Sequence, residues 1–424
     1  MTLKLKNLFH GWYVALGCCL IYFFVNSMTL FVPQTLFPRL MEEFGVNEAE
    51  ISLTVARTLL FASILSPISG ILIDKYGAVT VLKVGVIIMG LIYGFYPFAT
   101  SIDTLYRLHF LMAIGLVCSG LGPNVIIVSN WFNEHRGKVV GMLVAGSSLG
   151  GATLPLFISP IVNAPGWGWR WGYGILAILF WVFAVIPAYT FIRPNPQSMG
   201  LHPDGLDHAP KQLNEASSGV NFIDALKSRA LWCLGIGSAC LWFSIQGLNS
   251  QITIFFEQEA GYTAQQAVIL FSTLFWFSFF GKFAFGALSD KIPKQRVFLM
   301  TSCILFIGSL LLFEINNGQL DFTQNHTQLT LFTILFGLGF GGSFSMIQLV
   351  ALEIFGKAYL GRILGLITLV DGMGAALGTK LLSELKISTG SYFVPFVLVS
   401  LVTFFAIINV FLIKPIKTES QTSS

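Results

Sequence analysis

The sequence predicts an all-α integral membrane protein with twelve transmembrane helices arranged as two pseudo-symmetric six-helix bundles. Three features support this fold class: a low content of charge, a series of long uncharged segments and an internal repeat. Charged residues make up 10% of the 424 residues and hydrophobic residues 54%, whereas soluble proteins contain about 25% charged residues. This composition excludes a soluble enzyme, a nucleic-acid-binding domain and a disulfide-rich secreted module.

Twelve apolar segments are bounded by charges, by polar loops or by clusters of Pro, Gly and Asn. A helix needs about 20 residues to cross a hydrocarbon core roughly 30 Å thick, and the segment from Gly11 to Phe37 has no charged side chain. This first segment is too long for a signal-peptide core, so we expect it to be retained. The predicted spans cover residues 11–37, 51–73, 79–99, 104–129, 138–162, 169–192, 231–256, 264–288, 296–315, 328–352, 360–385 and 392–413.

A long polar stretch from Arg193 to Lys227 separates the first six spans from the last six. Prolines and glycines gather near its start and it has few apolar residues, which is typical of a linker and not of a folded domain. We therefore expect an N-terminal bundle over residues 1–192, a cytoplasmic linker over residues 193–230, and a C-terminal bundle with a short cytoplasmic tail over residues 231–424.

The positions of Lys and Arg predict the orientation in the membrane. If the N-terminus is cytoplasmic, the outer loops hold only Arg39, Arg107, Arg170 and Lys386. This bias follows the positive-inside rule, so we expect a multi-pass protein of the plasma membrane, the inner membrane of a bacterium, with both termini in the cytoplasm. The seventeen inner residues are Lys4, Lys6, Lys75, Lys83, Arg136, Lys138, Arg193, Lys211, Lys227, Arg229, Lys291, Lys294, Arg296, Lys357, Arg362, Lys414 and Lys417.

Two motifs recur in the two halves of the chain. The loop Gly70-Ile-Leu-Ile-Asp74-Lys75-Tyr-Gly77 follows the second span, and Gly286-Ala-Leu-Ser-Asp290-Lys291-Ile-Pro293 follows the eighth, 216 positions later. The motif Gly137-Lys138-Val-Val-Gly141 opens the fifth span, and Gly361-Arg362-Ile-Leu-Gly365 opens the eleventh, at an offset of 224. Parallel repeats of six helices are expected of a two-bundle secondary transporter.

These motifs resemble those of the major facilitator superfamily, and the resemblance covers nearly the whole chain. The two loops are similar to its signature loop, although Pro293 replaces the last Gly in the second copy. The segment Asn130-Trp131-Phe132-Asn-Glu-His-Arg136-Gly137, together with Gly168-Trp169-Arg170-Trp171, resembles the branch of monocarboxylate transporters and oxalate–formate antiporters. The resemblance implies a transporter that works by alternating access between two bundles. We do not expect an enzyme, because no nucleophile, base and orienting group can be assembled from the loops.

The signature loops have a mechanical interpretation. An Asp at the cytoplasmic end of a helix, beside glycines that permit a tight turn, can pair with basic groups or helix N-termini. Asp74 and Asp290 would thus hold one conformation of the two bundles, with Arg136 and Arg362 as candidate partners. The alternative is that the basic residues of these loops only mark the cytoplasmic side.

Ionised side chains inside the spans are the sharpest functional signal, because each costs about 2.5–3.5 kcal/mol at the centre of a helix. Lys282 lies in the eighth span and Asp371 near the middle of the eleventh. Arg57 and Lys380 lie near the outer ends of their spans, where a long side chain can reach water.

The resemblance implies that Lys282 occupies the position of an essential arginine of the branch. A cation there would pair with a substrate carboxylate in a low-dielectric path, although lysine lacks the bidentate fork of arginine. Ser278 stands where the branch has a partner acid, so its scheme of proton coupling does not carry over directly. The alternative role is a structural ion pair.

Asp371 has three competing interpretations. It is a proton-carrying acid that couples transport to a gradient, an anchor for a substrate amino group, or a structural counter-ion to Lys282. The oxalate-transporting members of the branch carry a lysine near this point, so the sign of the charge is reversed here.

Polar side chains within the spans are weaker candidates, because hydrogen bonds between helices explain them better than substrate contacts do. Gln246 is the strongest, and His109 with Arg107 is expected at the membrane interface. The sequence has no phosphate-binding loop and no metal-ligand spacing among its histidines, so neither a cofactor nor a metal is expected. The polar candidates are Asn26, Asn124, Gln246, Asn249, Ser343 and Gln348.

The sequence therefore predicts transport of a small organic anion, most simply a monocarboxylate, by proton symport or by exchange. An amino acid is the first alternative, since Lys282 and Asp371 offer one charge for each end of a zwitterion. Export of amphipathic compounds is another, and a channel-like or sensory membrane protein is an alternative of a different class. The expected partners are the substrate, protons and the lipid bilayer, with no nucleic acid, and the expected state is a monomer.

Overall fold

A computed structural model describes residues 9–206, 220–316, 319–356 and 359–413. Each of the twelve predicted spans coincides with a helix or with consecutive helices, and eleven of these, within the described ranges, are long and apolar enough to cross a membrane. The all-α membrane fold is thus confirmed. Six of the lysines used to orient the chain lie outside the described residues: Lys4, Lys6, Lys211, Lys357, Lys414 and Lys417.

Contacts divide the chain into two compact units. Unit 1 comprises Met1–Val46 and Ile64–Leu213, and unit 2 comprises Asn47–Ser63 and Asn214–Ser424. The helix α3 (Glu48–Tyr76) therefore contributes its first part to unit 2 and its remainder to unit 1.

Unit 1 contains the helices of the first six spans. Two π-helical turns, Ser27–Phe31 and Trp181–Val185, interrupt the first and sixth spans. Two tyrosine hydroxyls donate to backbone carbonyls in and near the first turn. Tyr173 donates to Met28 over 2.8 Å, and Tyr93 donates to Val25 over 3.0 Å. Besides its part of α3, unit 1 consists of α1 (His10–Asn26), α2 (Val32–Phe44), α4 (Ala78–Phe95), α5 (Ile102–Ser119), α6 (Leu121–Trp131), α7 (Arg136–Val162), α8 (Gly168–Phe180) and α9 (Ile186–Thr190).

Unit 2 contains the helices of the last six spans and one β-hairpin. The pair α11 and α15 is closely packed, because a Cβ at Gly374 would collide with the carbonyl oxygen of Ala239, and a Cβ at Gly378 with that of Phe243. Small residues at such interfaces let helix backbones approach closely. The elements are α10 (Phe222–Lys227), α11 (Arg229–Gln258), α12 (Ala264–Leu288), α13 (Lys294–Leu310), β1 (Phe313–Asn316), β2 (Gln319–Phe322), α14 (His326–Phe355), α15 (Leu360–Thr389) and α16 (Phe393–Phe411).

The ninth predicted span differs from the structure at its end. The span was expected over residues 296–315, whereas α13 ends at Leu310 after 17 residues and β1 begins at Phe313. Apolar residues continue past the end of the helix as far as Ile315. However, apolar and polar residues alternate in Phe-Glu-Ile-Asn and in Gln-Leu-Asp-Phe, the two segments on either side of an Asn-Gly pair. That alternation is a hairpin signal, and it prevails over the apolar content.

The predicted linker has ordered ends. Near its start, the Asp204 carboxylate accepts hydrogen bonds from the backbone N–H groups of Asn133 and Glu134, at 2.8 and 2.9 Å. Near its end, the backbone N–H of Val220 donates to the carbonyl of Phe355 over 2.9 Å. The first anchor lies in unit 1 and the second in unit 2. Residues 207–219 lie outside the described ranges.

Candidate functional site

Lys282 lies in the buried interior of unit 2. It is the nineteenth of the 25 residues of α12 and only 6% exposed. Its ammonium lies 4.6 Å from the ring centroid of Phe344 on α14, a cation–π geometry that stabilises a desolvated cation. A buried lysine within an apolar helix agrees with a functional charge.

Ser278, one turn before Lys282, has a packing role. A Cβ at Gly341 of α14 would collide with the Ser278 carbonyl oxygen, so α12 and α14 meet through their backbones at this turn. The small side chain of Ser278 is fully buried there. Ser278, which stands where the resembled branch has an acid, therefore lies where the backbones of α12 and α14 are in contact.

Asp371 is also buried, with 8% of its surface exposed. Its carboxylate accepts a 2.5 Å hydrogen bond from the Ser238 hydroxyl of α11. The neighbouring Gly372 is packed so closely that a Cβ would collide with the Ser63 hydroxyl of α3. Ser238 is its described hydrogen-bond partner, and the counter-ion role toward Lys282 stays a prediction. Ser238 is a residue that the sequence analysis missed.

A row of polar atoms on α11 has no hydrogen-bond partner among the described residues. Asn249 donates to the side-chain oxygen of Gln246 over 3.2 Å. This leaves the Gln246 amide nitrogen, the Asn249 oxygen and the Thr253 hydroxyl buried without partners in the described part of the chain. A buried polar atom without a partner costs about 1–3 kcal/mol, so these atoms are suited to bind water or substrate.

Other polar candidates have structural contacts. The Asn124 amide donates to the carbonyls of Ser119 and Gly120, at 2.8 and 2.6 Å, and so bonds the backbone where α5 ends and α6 begins. Ser343 donates to the Thr301 hydroxyl over 3.2 Å. Asn26 is half-buried at the end of α1, directly before the first π-helical turn.

The remaining charged candidates lie in different settings. Arg57 is half-buried in the part of α3 that belongs to unit 2. The Lys380 side chain is 51% exposed and lies 3.7 Å from Glu384, as expected for a lysine that reaches water. His109 is fully buried in unit 1 and its Nε2 lies 3.2 Å from the Tyr96 hydroxyl; its place at the membrane interface stays a prediction.

A second polar cluster, also missed in the sequence, lies where α3 begins in unit 2. The Tyr392 hydroxyl donates to the Glu48 carboxylate, and the Gln251 amide donates to the Ser52 hydroxyl over 2.8 Å. Lys386 forms a 2.6 Å ion pair with Glu259. These residues are far apart in the sequence and belong to no motif, so no pattern in the sequence pointed to them.

The two signature loops form different turns. Gly77 has a φ of +82°, a left-handed conformation that favours glycine; it separates α3 from α4. In the second loop Pro293 precedes the first residue of α13 with a φ of −49°, so no glycine is needed there. Gly70 and Gly286 have open space where a Cβ would be.

The charged residues of the signature loops, and their candidate partners Arg136 and Arg362, lie on the surface of their units. Asp74, Lys75 and Arg136 are exposed in unit 1, and Asp290, Lys291 and Arg362 are exposed in unit 2. The Lys75 ammonium lies 5.0 Å from the ring centroid of Tyr76. The pairing of Asp74 and Asp290 with basic groups stays a prediction.

Comparisons with known proteins agree with this architecture. A profile of the Major Facilitator Superfamily matches residues 19–379, with a second match over residues 275–424. Monocarboxylate transporter 2 of Homo sapiens is 24% identical over 408 residues, which cover 90% of this chain and 81% of that protein. MFS transporter asaE of Aspergillus flavus is 26% identical over 337 residues, which cover 78% of this chain and 69% of that protein.

A solved structure has the same fold. It is a bacterial homolog of the human lysosomal transporter Spinster, in an inward-facing and unoccupied conformation. The two structures superpose with a TM-score of 0.71 at 17% sequence identity, covering 95% of this chain and 98% of the other. At that identity the likeness concerns the fold alone.

Proposed function

The chain belongs to the major facilitator superfamily, and we propose that the substrate it moves across the membrane is a small organic anion, most simply a monocarboxylate. Movement is by alternating access, as proton symport or as exchange. We further propose that the protein acts as a monomer in the plasma membrane, with both termini in the cytoplasm.

The observation that supports this substrate class is the buried ammonium of Lys282. A cation that is 6% exposed and flanked by an aromatic ring is costly to maintain in a membrane helix. A carboxylate that approaches it in a medium of low dielectric gains far more than it would in water. The resemblance to monocarboxylate transporter 2 over 90% of the chain supports the same class of substrate.

The row of unpartnered atoms on α11 supplies the rest of the recognition. The Gln246 amide nitrogen is a donor and the Asn249 oxygen an acceptor, and the Thr253 hydroxyl can act as either. The three residues are spaced along about 10 Å of helix. A carboxylate would accept from the Gln246 amide and the Thr253 hydroxyl, and a hydroxyl of the substrate or a water would donate to the Asn249 oxygen. Gln246 is therefore a proposed substrate contact.

Asp371 is the proposed coupling group. Its carboxyl lies in the same unit as Lys282 and is bonded to a neutral hydroxyl, an environment that lets it exist with or without a proton. An amino acid is the second candidate substrate, favoured by one observation: a buried carboxylate in addition to a buried ammonium offers a charge for each end of a zwitterion.

The test is transport by the purified chain in proteoliposomes. We expect saturable uptake and counterflow of a radiolabelled monocarboxylate, with loss of both in Lys282→Ala. Lys380→Ala is the matched control, because Lys380 is an exposed lysine of the same unit, and it should transport normally. Uptake of an amino acid without uptake of any monocarboxylate would replace the first candidate by the second. Flux without saturation or counterflow would instead indicate a channel.

A further inference from the structure

A groove of about 470 Å³ opens on unit 2 where the hairpin β1–β2 meets α13 and α16. Phe306 and Leu310 of α13 and Leu401 and Phe404 of α16 are four of its ten lining residues. Leu401 is 61% exposed and Phe404 49%, so the groove is open along its length. Its volume equals that of about fifteen water molecules, but an apolar cavity does not hold water well.

The hairpin that forms one end of the groove is amphipathic. Its register places Ile315 opposite Leu320 and Glu314 opposite Asp321, and side chains opposite each other share a face of the hairpin. Ile315 is 78% exposed and Leu320 56%. One face thus presents apolar side chains, and the other presents two carboxylates.

The base of the hairpin is held firmly to unit 2. The Gln328 amide donates to the carbonyls of Leu311 and Phe313, at 3.0 and 2.5 Å. The Phe313 ring packs on Phe393, with ring centroids 5.9 Å apart. The hairpin is therefore a fixed element, and it lines the groove with Ile315 and Leu320 of its apolar face and with Glu314 at the edge of its acidic face.

We infer that this groove binds one acyl chain of a phospholipid whose headgroup carries a primary ammonium. The groove lies at the Leu310 end of α13 and along the middle of α16, and apolar side chains of a hairpin beside such helices can enter the membrane interface. Glu314 and Asp321 favour a lipid whose headgroup carries a positive charge. Like charges directly opposite in a hairpin are destabilising, and an ammonium between the two carboxylates relieves that repulsion.

The carboxylates also make bonds within the hairpin. Glu314 accepts from the Thr323 hydroxyl over 2.7 Å, and Asp321 accepts from the backbone N–H of Phe322 over 2.8 Å. Each carboxylate has four lone-pair sites, so both retain acceptor capacity for a headgroup. The inference is independent of the transported substrate.

Native mass spectrometry of the purified full chain tests this inference. The probes are palmitoyl-oleoyl phosphatidylethanolamine, phosphatidylcholine and phosphatidylglycerol, added singly to delipidated protein. We expect one phosphatidylethanolamine to bind more tightly than either other lipid. Leu401→Trp fills the groove and should lower that affinity about tenfold, the effect of excluding about two methylenes. Ile408→Trp is the matched control on α16, 40% exposed and outside the groove, and should bind like the native chain.

The headgroup is tested separately with Glu314→Gln combined with Asp321→Asn. This variant should lose about two- to fivefold in phosphatidylethanolamine affinity, as for an exposed ion pair, and bind phosphatidylcholine unchanged. Equal affinity of the native chain for the three lipids would overturn the headgroup assignment. Equal affinities of Leu401→Trp and Ile408→Trp, or a dimer that forms in place of a lipid complex, would overturn the groove assignment.

A photoreactive lipid gives a test that does not depend on a folded variant. Phosphatidylethanolamine with a diazirine at the end of one acyl chain should label peptides that contain residues 306–315 or 397–404 of the native chain. Labelling confined to other helices would contradict the inference even if Leu401→Trp could not be purified.

Discussion

The Tyr392 hydroxyl donates a 3.1 Å hydrogen bond to the carboxylate of Glu48. The bond joins residues 344 positions apart, and both lie in unit 2. Tyr392 and Glu48 are buried, so water cannot replace the bond if one of the two side chains is removed. It joins the first turn of α3 to the residue that directly precedes α16.

Tyr392→Phe removes this bond and should lower stability. The ring contacts with Phe255 and Phe396, at centroid distances of 5.2 and 5.4 Å, remain in the variant. The Glu48 carboxylate loses a buried donor, which costs about 1–3 kcal/mol. Thermal unfolding in detergent is the measurement. Glu48→Gln combined with Tyr392→Phe forms a double-mutant cycle, and losses that simply add would show that the two residues do not interact.

Asp371→Asn tests the proposed coupling. The amide keeps the shape of the side chain and a hydrogen bond with Ser238 but cannot exchange a proton. We expect exchange across the membrane to continue while accumulation against a gradient is lost. Both are measured in proteoliposomes with and without an imposed pH gradient. Glu384→Gln, an exposed carboxylate on the same helix, is the control. Accumulation by Asp371→Asn would exclude the coupling role.

Thr253→Val tests the unpartnered row on α11. The substitution keeps the shape and removes a hydroxyl that has no partner in the described part of the chain, so stability should be unchanged or slightly higher. Substrate affinity should fall by about five- to tenfold if the hydroxyl binds substrate.

Thr379→Val is the matched control for this measurement. Its hydroxyl donates to the Ala375 carbonyl over 3.0 Å, and its loss should affect stability more than affinity. Tm and the Kd of the substrate are measured for both variants. An unchanged affinity in Thr253→Val would remove this residue from the proposed site.

Asp74→Asn tests the signature loop. Because Asp74 is exposed at the end of α3, the variant should fold and reach the membrane normally. We expect uptake to fall several-fold while the amount of protein in the membrane stays constant. Asp103→Asn, an exposed aspartate in the first turn of α5, is the control. Uptake equal to that of the native chain would leave the loop with a topological role only.

The sequence was sufficient to predict the spans, because hydrocarbon imposes a length and a composition on each helix that a single chain must display. It also pointed to Lys282 and Asp371, since a charge within an apolar run is visible without a structure. Their burial in the structure agrees with that signal.

Partners that come from distant helices could not be predicted. Ser238 lies 133 positions before Asp371, and a serine in a membrane helix is too common to mark a site. The partner of His109 is a similar case, since the Tyr96 hydroxyl that lies 3.2 Å from its Nε2 belongs to a different helical segment. The predicted ninth span includes the first strand of the hairpin, because the residues up to Ile315 are mainly apolar and an alternation over four residues is a weak signal.

The backbone contacts of Gly374 and Gly378 with α11 bear on how a proton reaches Asp371. Helices in backbone contact along two turns resist sliding, since any shift would drive a carbonyl into the facing chain. We therefore expect Asp371 and Ser238 to move together, with their hydrogen bond intact, in the proposed alternating-access cycle. Under the proposed coupling role, the moment of protonation would then depend on when water reaches this carboxyl and not on a change of its protein partner.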